Sequence, residues 1–242
     1  MLALIIPTFN ESESLPFLLS ELIKSWNKDD LIVVIDDSDQ NEHLATAKVV
    51  AEISQQGFAT HLLRGNLKGG RGAAVLSAMN YLLDQIKDGD FVIEADADGS
   101  HRAIDIIKIR NFDKTSDFVI GSRYKLESKI IGWSTSRKVL SRILNITIPR
   151  IIGVDTTDIT NGLRRYSAKA VKVLCAAKSK NTGFIYLSEQ ALYLKNAHID
   201  PDEIPIVFAP RVAGKSSVTK KDLINALVGL VRVWKLRRSA NV

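Results

Sequence analysis

The sequence has a single cysteine, Cys175, among its 242 residues. One cysteine excludes an internal disulfide and any zinc site built from several cysteines. The four histidines are scattered and lack the spacing of metal ligands. No run of about 18 uncharged apolar residues is present, so we predict no transmembrane helix. The chain opens on the apolar run 2–6 without a basic segment or a cleavage site, so we expect no signal peptide.

Two nucleotide-binding signatures are also missing. No Gly-x-Gly-x-x-Gly follows the first apolar run, which argues against an NAD- or FAD-binding domain. The glycine-rich loop 64–73 lacks the Lys-Ser/Thr ending of a P-loop, which argues against a P-loop NTPase. If the chain binds a nucleotide, it uses other contacts.

The composition is that of a soluble globular protein, with 45% hydrophobic and 25% charged residues. The net charge of +6 favours anionic partners: nucleotides, nucleic acid or an anionic membrane surface. A nucleic-acid binder is the weaker interpretation, because the positive charges are shared among loops and no recognition motif is present. We therefore predict no nucleic-acid partner.

Apolar runs and helical patterns alternate through the first half of the chain. The predicted strands are 2–6, 31–35, 59–63, 90–95 and 117–121, and the predicted helices are 12–26, 42–56 and 71–87. Such alternation indicates an α/β fold with a doubly wound, mostly parallel sheet and helices on both faces. Because ligands bind beyond the carboxyl ends of the strands in these sheets, we expect the site in the loops that follow them.

The second half is less regular. It contains predicted helices at 134–148, 169–177 and 184–196, a strand at 204–208 and a final helix at 219–236. We predict one domain over 1–218, followed by a basic amphipathic helix over 219–242. That helix either lies on an anionic membrane surface or docks on the protein core or on a second copy, since broad apolar coverage suits both. The segment 143–152 is a second candidate for surface contact.

An apolar run ends at two aspartates that are one residue apart, Asp96 and Asp98. At the end of a strand the chain turns, so both carboxylates can face one crevice. Paired carboxylates suit a hard divalent cation such as Mg²⁺ or Mn²⁺, which keeps open positions for substrate phosphates. The alternative is an acidic turn with no ligand.

Three other loops carry candidate binding residues. Pro7–Glu11 and the Asp36-Asp37 pair follow the first two strands, where a nucleotide base and ribose could lie. The loop Lys68-Gly69-Gly70-Arg71-Gly72 enters a helix, whose first N–H groups can bind an anion, although a purely structural turn fits it equally well. Arginines beside glycine, serine or tyrosine in the second half are candidate phosphate ligands: Arg123, Arg137, Arg142, Arg164 and Arg211.

Taken together, these segments resemble family 2 glycosyltransferases with the Rossmann-like GT-A fold, and within them the polyprenol-phosphate (dolichol-phosphate) mannose synthase group. The resemblance runs from Ile5 to about Thr219. Besides the loops above, it is carried by Gly99-Ser100-His101, Gly121-Ser122-Arg123-Tyr124, Gly132-Trp133, Arg137–Ser141, Asp158–Arg164, Glu203–Ile206 and Gly214-Lys215-Ser216.

The resemblance implies an inverting, metal-dependent hexosyltransferase that acts on a nucleotide diphosphate sugar and polyprenyl phosphate. It implies Mg²⁺ or Mn²⁺ on Asp96, Asp98 and Ser100. Its implied donor-binding residues are Pro7, Asn10, Glu11, Asp37, Lys68, Gly70, Arg71 and Asp96. Its implied acceptor-phosphate ligands are Arg123, Arg137, Ser141, Arg164, Arg211 and Lys215. Asp96, Asp98, Arg123 and Asp158 are the implied catalytic residues.

The second-strand acids depart from the family's usual Asp-Asp-Gly-Ser-Pro pattern, since Ser38 and Asp39 follow them here. GDP-mannose is the favoured donor, and UDP-glucose is the next. We expect a peripheral protein on the cytoplasmic face of a membrane, where nucleotide sugars occur, either as a homo-oligomer or with a separate membrane subunit.

Two alternatives stay open. A transferase of the same fold could act on a soluble or cell-envelope glycan, with Asp155 or Asp158 as the general base. A nucleotide-sugar binding module without turnover is the other.

Overall fold

Seven strands of the described part of the chain form one mixed, mostly parallel sheet. The structure is a computed structural model and describes residues 1–67, 69–177, 179, 183 and 185–213, together with 229, 231, 233, 234 and 237. The strands are β1 (Leu2–Thr8), β2 (Leu31–Asp36), β3 (Thr60–Arg64), β4 (Phe91–Glu94), β5 (Phe118–Ser122), β6 (Lys129–Ile130), β7 (Arg164–Ser167), β8 (Asp202–Pro205) and β9 (Val207–Phe208). The helices are α1 (Leu15–Leu22), α2 (Gln40–Gln55), α3 (Arg71–Leu82), α4 (Ala103–Arg110), α5 (Thr135–Ile152), α6 (Ala168–Ala176) and α7 (Tyr186–Asn196).

The strand order is β3-β2-β1-β4-β7-β5-β8, and β7 alone runs antiparallel to its neighbours in this sheet. A separate parallel pair joins β6 to β9. Alternate side chains of β1 point to opposite faces. Leu2, Leu4 and Ile6 pack in a core with α1, α2 and α4. Ala3 and Ile5 pack in a second core with α3, α6 and α7. Helices therefore cover both faces, and the predicted α/β fold is confirmed.

The five strands predicted in the first half are present as β1 to β5. Three elements between residues 100 and 168 were not predicted, the helix α4 and the strands β6 and β7. The single strand predicted over 204–208 was wrong, because the chain changes sheets there. The Ile206 N–H donates to Ser122 O of β5 at 3.1 Å, whereas Ile206 O accepts from Lys129 N of β6 at 3.1 Å.

Strand β7 determines which loop reaches the carboxyl ends of the parallel strands. Since it runs antiparallel between β4 and β5, its first residue, Arg164, lies opposite both Glu94 and Ile120. The segment just before it, 155–163, is thereby brought to the edge where β4 and β5 end.

The predicted C-terminal helix lies mostly outside the described residues. Within it, Val233 is buried in the core that contains α3 and α7, and Val231 is exposed. Arg237 donates to the carbonyl oxygens of Arg150 and Ile151 near the end of α5. No helix among the described residues has the length and apolar character needed to cross a membrane.

Candidate active site

Asp96 and Asp98 follow β4 in a turn that several hydrogen bonds hold in place. The Asp96 N–H donates to His101 Nδ1 at 2.9 Å. Asp98 Oδ1 accepts from the Ser100 N–H at 2.9 Å, and Asp98 O accepts from Val212 N at 3.0 Å. The side chain of Asp98 is buried, whereas that of Asp96 is 31% exposed. These hydrogen bonds thus fix the backbone that carries the two carboxylates.

The charge of Asp96 is fixed by Arg71. Arg71 Nε lies 2.7 Å from Asp96 Oδ1. Burial raises the pKa of Asp96, but Arg71, His101 and Arg211 together outweigh it, Arg71 most of all, and the pKa falls to about 2. Asp96 is therefore a carboxylate at neutral pH.

Arg71 itself points into the protein rather than into the predicted nucleotide site. Its Nη1 lies 3.0 Å from Glu94 Oε2 and contacts the Tyr186 hydroxyl, and its Nη2 lies 3.0 Å from Gly162 O. Glu94 is fully buried and accepts a further hydrogen bond from Tyr166 at 2.7 Å. The structure thus places Arg71 beneath Asp96, where it supports the turn.

The residues of this turn fit a divalent cation shared with a diphosphate. Ser100 Oγ is buried and has no hydrogen-bond partner among the described residues, so this oxygen is available to bind a cation beside Asp98. Among the described residues, no group of three or more His, Cys, Asp or Glu is placed so that it could hold a metal ion. Two carboxylates and a hydroxyl leave positions open for substrate oxygens.

Arg211 bridges the Asp98 turn and the loop after β1. Its Nε lies 3.0 Å from Asp98 Oδ2, and its Nη1 lies 3.0 Å from Glu11 Oε1. Burial raises the pKa of Glu11, although Ser14 and Arg211 act against it. Residues 209–213 therefore lie along the edge of the site, and Arg211 partly neutralises its acids.

Asp37 lies in a tight enclosure at the end of β2. A Cβ on Gly65 would overlap Asp37 Oδ1, and one on Gly69 would lie 3.3 Å from Oδ2. Asp37 Oδ1 is buried without a hydrogen-bond partner among the described residues. Burial raises the pKa of Asp37 to about 6, although the N–H groups of Gly70 and Gly69 lower it. An unsatisfied carboxylate oxygen between glycines is suited to a ligand that donates hydrogen bonds.

The loop after β1 lies beside Asp37. The backbone of Asn10 has a φ of 56°, and its N–H donates to Ser38 Oγ at 2.8 Å. Pro7 is half-buried within β1, and Gly70 caps the start of α3 with a φ of 90°. The predicted donor-binding residues Pro7, Asn10, Glu11, Asp37 and Gly70 thus lie in or after the last residues of neighbouring strands, and Lys68 lies outside the described residues.

A cluster of arginines and aromatic rings lies on the other side of the turn. Arg123 is buried and forms a bidentate ion pair with Asp158, with Nε–Oδ2 and Nη2–Oδ1 distances of 2.7 Å. Its Cζ lies 5.2 Å from the Trp133 ring centre and 5.3 Å from that of Phe208. Attraction between the guanidinium and the aromatic faces adds to this ion pair in holding Arg123 in place.

Arg137 extends this cluster from the first turn of α5. Its Cζ lies 3.9 Å above the Trp133 ring, and no described carboxylate lies within ion-pair distance of it. Burial, followed by the nearby charges of Arg123 and Arg211, lowers its pKa. Ser141, one helical turn further on, accepts a hydrogen bond from the Tyr124 hydroxyl at 2.6 Å. The cluster therefore carries an excess of positive charge that suits an anion.

Arg164 lies elsewhere. It is fully buried, and its guanidinium donates to the carbonyl oxygens of Asn161, Leu187 and Ile159 at 2.7–3.0 Å. This placement differs from the predicted phosphate contact, since the side chain fastens the segment before β7. Lys215 lies outside the described residues.

Sequence reasoning did not single out Glu94 or Tyr186. Glu94 carried a usable signal, because an acid inside the apolar run 91–95 requires a buried partner. Tyr186 carried none, since its contact with Arg71 depends on how α7 packs against α3.

Comparisons with known proteins agree with this geometry. Residues 3–175 match the family described as "Glycosyl transferase family 2". The chain is 34% identical over 238 residues to the undecaprenyl-phosphate mannosyltransferase of Micrococcus luteus, which covers 96% of this chain and 93% of that protein. It is 28% identical to the polyprenol monophosphomannose synthase of Mycolicibacterium smegmatis, over 96% of this chain and 86% of that protein.

A solved structure shares the fold. It is the glucosyl-3-phosphoglycerate synthase of Mycobacterium tuberculosis in complex with Mn²⁺, UDP and glucosyl-3-phosphoglycerate, with a TM-score of 0.63 and 12% identity. The match covers 97% of this chain and 80% of that one. The fold, the family match and the relatives lead to one conclusion: this chain is a glycosyltransferase and belongs to glycosyl transferase family 2.

Proposed function

We propose that this glycosyltransferase moves a hexose, with mannose favoured, from a nucleoside diphosphate sugar to the phosphate of a polyprenyl phosphate, with inversion at the anomeric carbon. The observation that carries the proposal is the group of three arginines, Arg123, Arg137 and Arg211, close to the Asp96–Asp98 turn. The two relatives above are named for transfer to, or synthesis of, polyprenol-linked mannose.

The chemistry of the acceptor agrees with this cluster. A phosphomonoester is largely ionised near pH 7, because its second pKa is about 6. It therefore needs no strong general base, but it needs positive charge to approach an anionic donor. Arg137 supplies a charge without a carboxylate partner among the described residues, whereas the charge of the neighbouring Arg123 is paired with Asp158.

A hydroxyl acceptor would need a base, and the structure offers a poor one. Both oxygens of Asp158 accept hydrogen bonds from Arg123, and its side chain is fully buried. Asp155 is exposed. This arrangement favours the phosphate acceptor over a glycan hydroxyl.

In the proposed reaction, an oxygen of the acceptor phosphate attacks the anomeric carbon from the face opposite the leaving group. The bond between that carbon and the donor diphosphate oxygen breaks, and the nucleoside diphosphate takes the electron pair. Asp96, Asp98 and Ser100 would hold Mg²⁺ or Mn²⁺, which when bound supplies positive charge to the diphosphate. Asp37 and the loop around Asn10 would bind the nucleoside.

Membrane contact is part of the proposal, because the prenyl chain of the acceptor lies in a bilayer. The outer face of α5 exposes apolar side chains between basic ones. The exposed apolar residues are Val139, Leu140, Ile143 and Ile146, and the basic ones are Lys138, Arg142 and Arg150. Apolar residues flanked by Lys and Arg suit the surface of an anionic bilayer, which in a cell would be the cytoplasmic face.

The test is transfer from a panel of labelled GDP- and UDP-sugars to polyprenyl phosphate, with Mg²⁺ or Mn²⁺. Organic-extractable product from one donor, lost in Asp98→Asn and kept in Asp155→Asn, supports the proposal. Transfer to a soluble glycan that Asp155→Asn abolishes would replace it with the hydroxyl-acceptor reaction. Donor binding without any transfer would indicate a binding module.

A further inference from the structure

A chain of hydrogen bonds joins the Asp96 turn to β5 through His101. The Asp96 N–H donates to His101 Nδ1 at 2.9 Å, and His101 Nε2 lies 2.7 Å from Asn161 Oδ1. At the far end, Asn161 Nδ2 donates to Gly121 O. His101 and Asn161 are both almost fully buried. Three segments that meet at the site are thus linked by two side chains.

The two ends of this chain determine the tautomer of His101. The Asp96 N–H can only donate, so Nδ1 must be the unprotonated, accepting nitrogen. Gly121 O can only accept, so the Asn161 amide nitrogen faces it and Oδ1 faces the imidazole. The Leu163 N–H also donates to that Oδ1, at 3.3 Å. Hence Nε2 carries the proton, and all hydrogen bonds run in one direction from Asp96 to Gly121.

The same imidazole also contacts the arginine–aromatic cluster. Its ring meets the Phe208 ring edge-on, with centroids 5.6 Å apart, and the two residues form an isolated antiparallel bridge. Phe208 in turn packs on Trp133 at 5.3 Å and lies beneath the Arg123 guanidinium. His101 therefore contacts the acidic turn on one side and the arginine cluster on the other.

We infer that His101 is a positioning residue: through Nδ1 it fixes the backbone of Asp96, and through Asn161 and Phe208 it sets the place of that turn relative to the arginine cluster. The inference rests on the proposed function, in which Asp96 holds the donor cation. His101 does not touch the reacting atoms, so its effect is on the geometry of Asp96.

Two substitutions separate the roles of the two nitrogens. In His101→Asn, the side-chain oxygen can take the place of Nδ1 and still accept from Asp96. In His101→Gln, the longer amide can take the place of Nε2 and still bond Asn161, but the Asp96 N–H loses its acceptor. The affinity of each variant for a nucleoside diphosphate with Mn²⁺ is measured by calorimetry, and unfolding is followed in parallel.

We expect His101→Gln to weaken binding by about 10- to 100-fold, as changes in residues that orient metal ligands do. We expect His101→Asn to bind within about threefold of the natural protein, with a comparable loss of stability in both variants. The control is the same two substitutions, to Asn and to Gln, at His61, which stacks on Tyr81 at 4.6 Å outside the site. They should leave the affinity unchanged. Equal affinities in the two His101 variants, or weaker binding by His101→Asn, would overturn the inference.

A spectroscopic measurement keeps the inference testable if the variants do not fold. Nitrogen-15 NMR of the imidazoles in the natural protein distinguishes protonated from unprotonated ring nitrogens. An unprotonated Nδ1 and a protonated Nε2 are expected for His101 from its two hydrogen bonds, and a protonated Nδ1 would overturn the inference. If the natural protein binds no nucleoside diphosphate with Mn²⁺, the proposed function fails, whereas the tautomer result still stands by itself.

Discussion

Arg211 is an internal counter-ion of Asp98, with its Nε 3.0 Å from Asp98 Oδ2. The guanidinium is one-third exposed and also pairs with Glu11. A cation that binds Asp98 must therefore compete with Arg211. On release, Arg211 would be free to bind the acceptor phosphate, which is the role that the sequence analysis predicts for it.

Replacing Arg211 should strengthen cation binding while it weakens acceptor use. In Arg211→Met, Mn²⁺ no longer competes with a positive charge, so its affinity for the free protein should rise by about two- to fivefold, the range of a partly exposed ion pair. The electron paramagnetic resonance signal of free Mn²⁺ measures this. The exposed Arg142, whose Cζ lies over Tyr124, provides Arg142→Met as the control. Unchanged or weaker Mn²⁺ binding by Arg211→Met would contradict the counter-ion role.

Arg71 and Glu94 should show strong energetic coupling. Arg71→Met leaves the buried Glu94 without its cationic partner, and Glu94→Gln removes one of the two acids that pair with Arg71, so each single variant should lower the free energy of unfolding by about 3–5 kcal/mol. The double variant leaves no unpaired buried charge in the pair, so its loss should be much smaller than the sum of the two. Urea unfolding of the four proteins forms a double-mutant cycle, and additive losses would show that the pair is not coupled.

The fold was largely predictable from the sequence because β1 to β5 are apolar runs that strand signals detect. Strand β7 was not predicted because its sequence, Arg-Arg-Tyr-Ser, is polar. Such side chains can be buried only where other segments of the folded chain provide hydrogen-bond partners. Arg165, for example, is buried and donates to the carbonyl oxygens of Phe112 and Ser116 after α4. A sequence shows that these arginines exist but not which carbonyl groups are close to them.

For the candidate site, the sequence predicted where the acids lie but not where the arginines point. Asp96, Asp98 and Asp37 could be placed because they follow predicted strands, and such strands end at a common edge. The direction of an arginine could not be predicted. Arg71 points inward because the buried Glu94 attracts it, and Arg137 faces the site because Trp133 supports it. Both depend on tertiary packing.

Asp37 should make stability depend on pH in a direction opposite to most carboxylates. Its pKa in the folded protein is about 6, raised by burial from the ordinary value of 3.8. Between these two values the native state binds more protons than the unfolded state, so the contribution of Asp37 to stability falls as pH rises and is lowest above pH 6. Asp37→Asn removes this dependence.

The free energy of unfolding of Asp37→Asn, relative to the natural protein, should therefore rise by about 1–3 kcal/mol from pH 4 to pH 7. Urea unfolding at several pH values measures it, with Asp29→Asn at an exposed site as the control for removing a carboxylate. A difference that stays constant or falls over this window would contradict the raised pKa. Because Asp37 is proposed to bind the nucleoside of the sugar donor, the variant should also bind the nucleoside diphosphate less tightly.

The exposed face of α5 should determine membrane binding without affecting the fold. Leu140 and Ile143 are 55% and 52% exposed, so changing both to Gln should leave thermal unfolding unaltered. Loss of two apolar side chains from a bilayer surface should weaken binding to anionic vesicles by about tenfold or more. Neither change alters the net charge, so any effect comes from apolar contact alone.

Co-sedimentation with vesicles measures the binding, and Phe17→Gln on α1, a site 57% exposed, is the matched control. If the double variant sediments as the natural protein does while Phe17→Gln is released, the membrane face lies on α1 and not on α5.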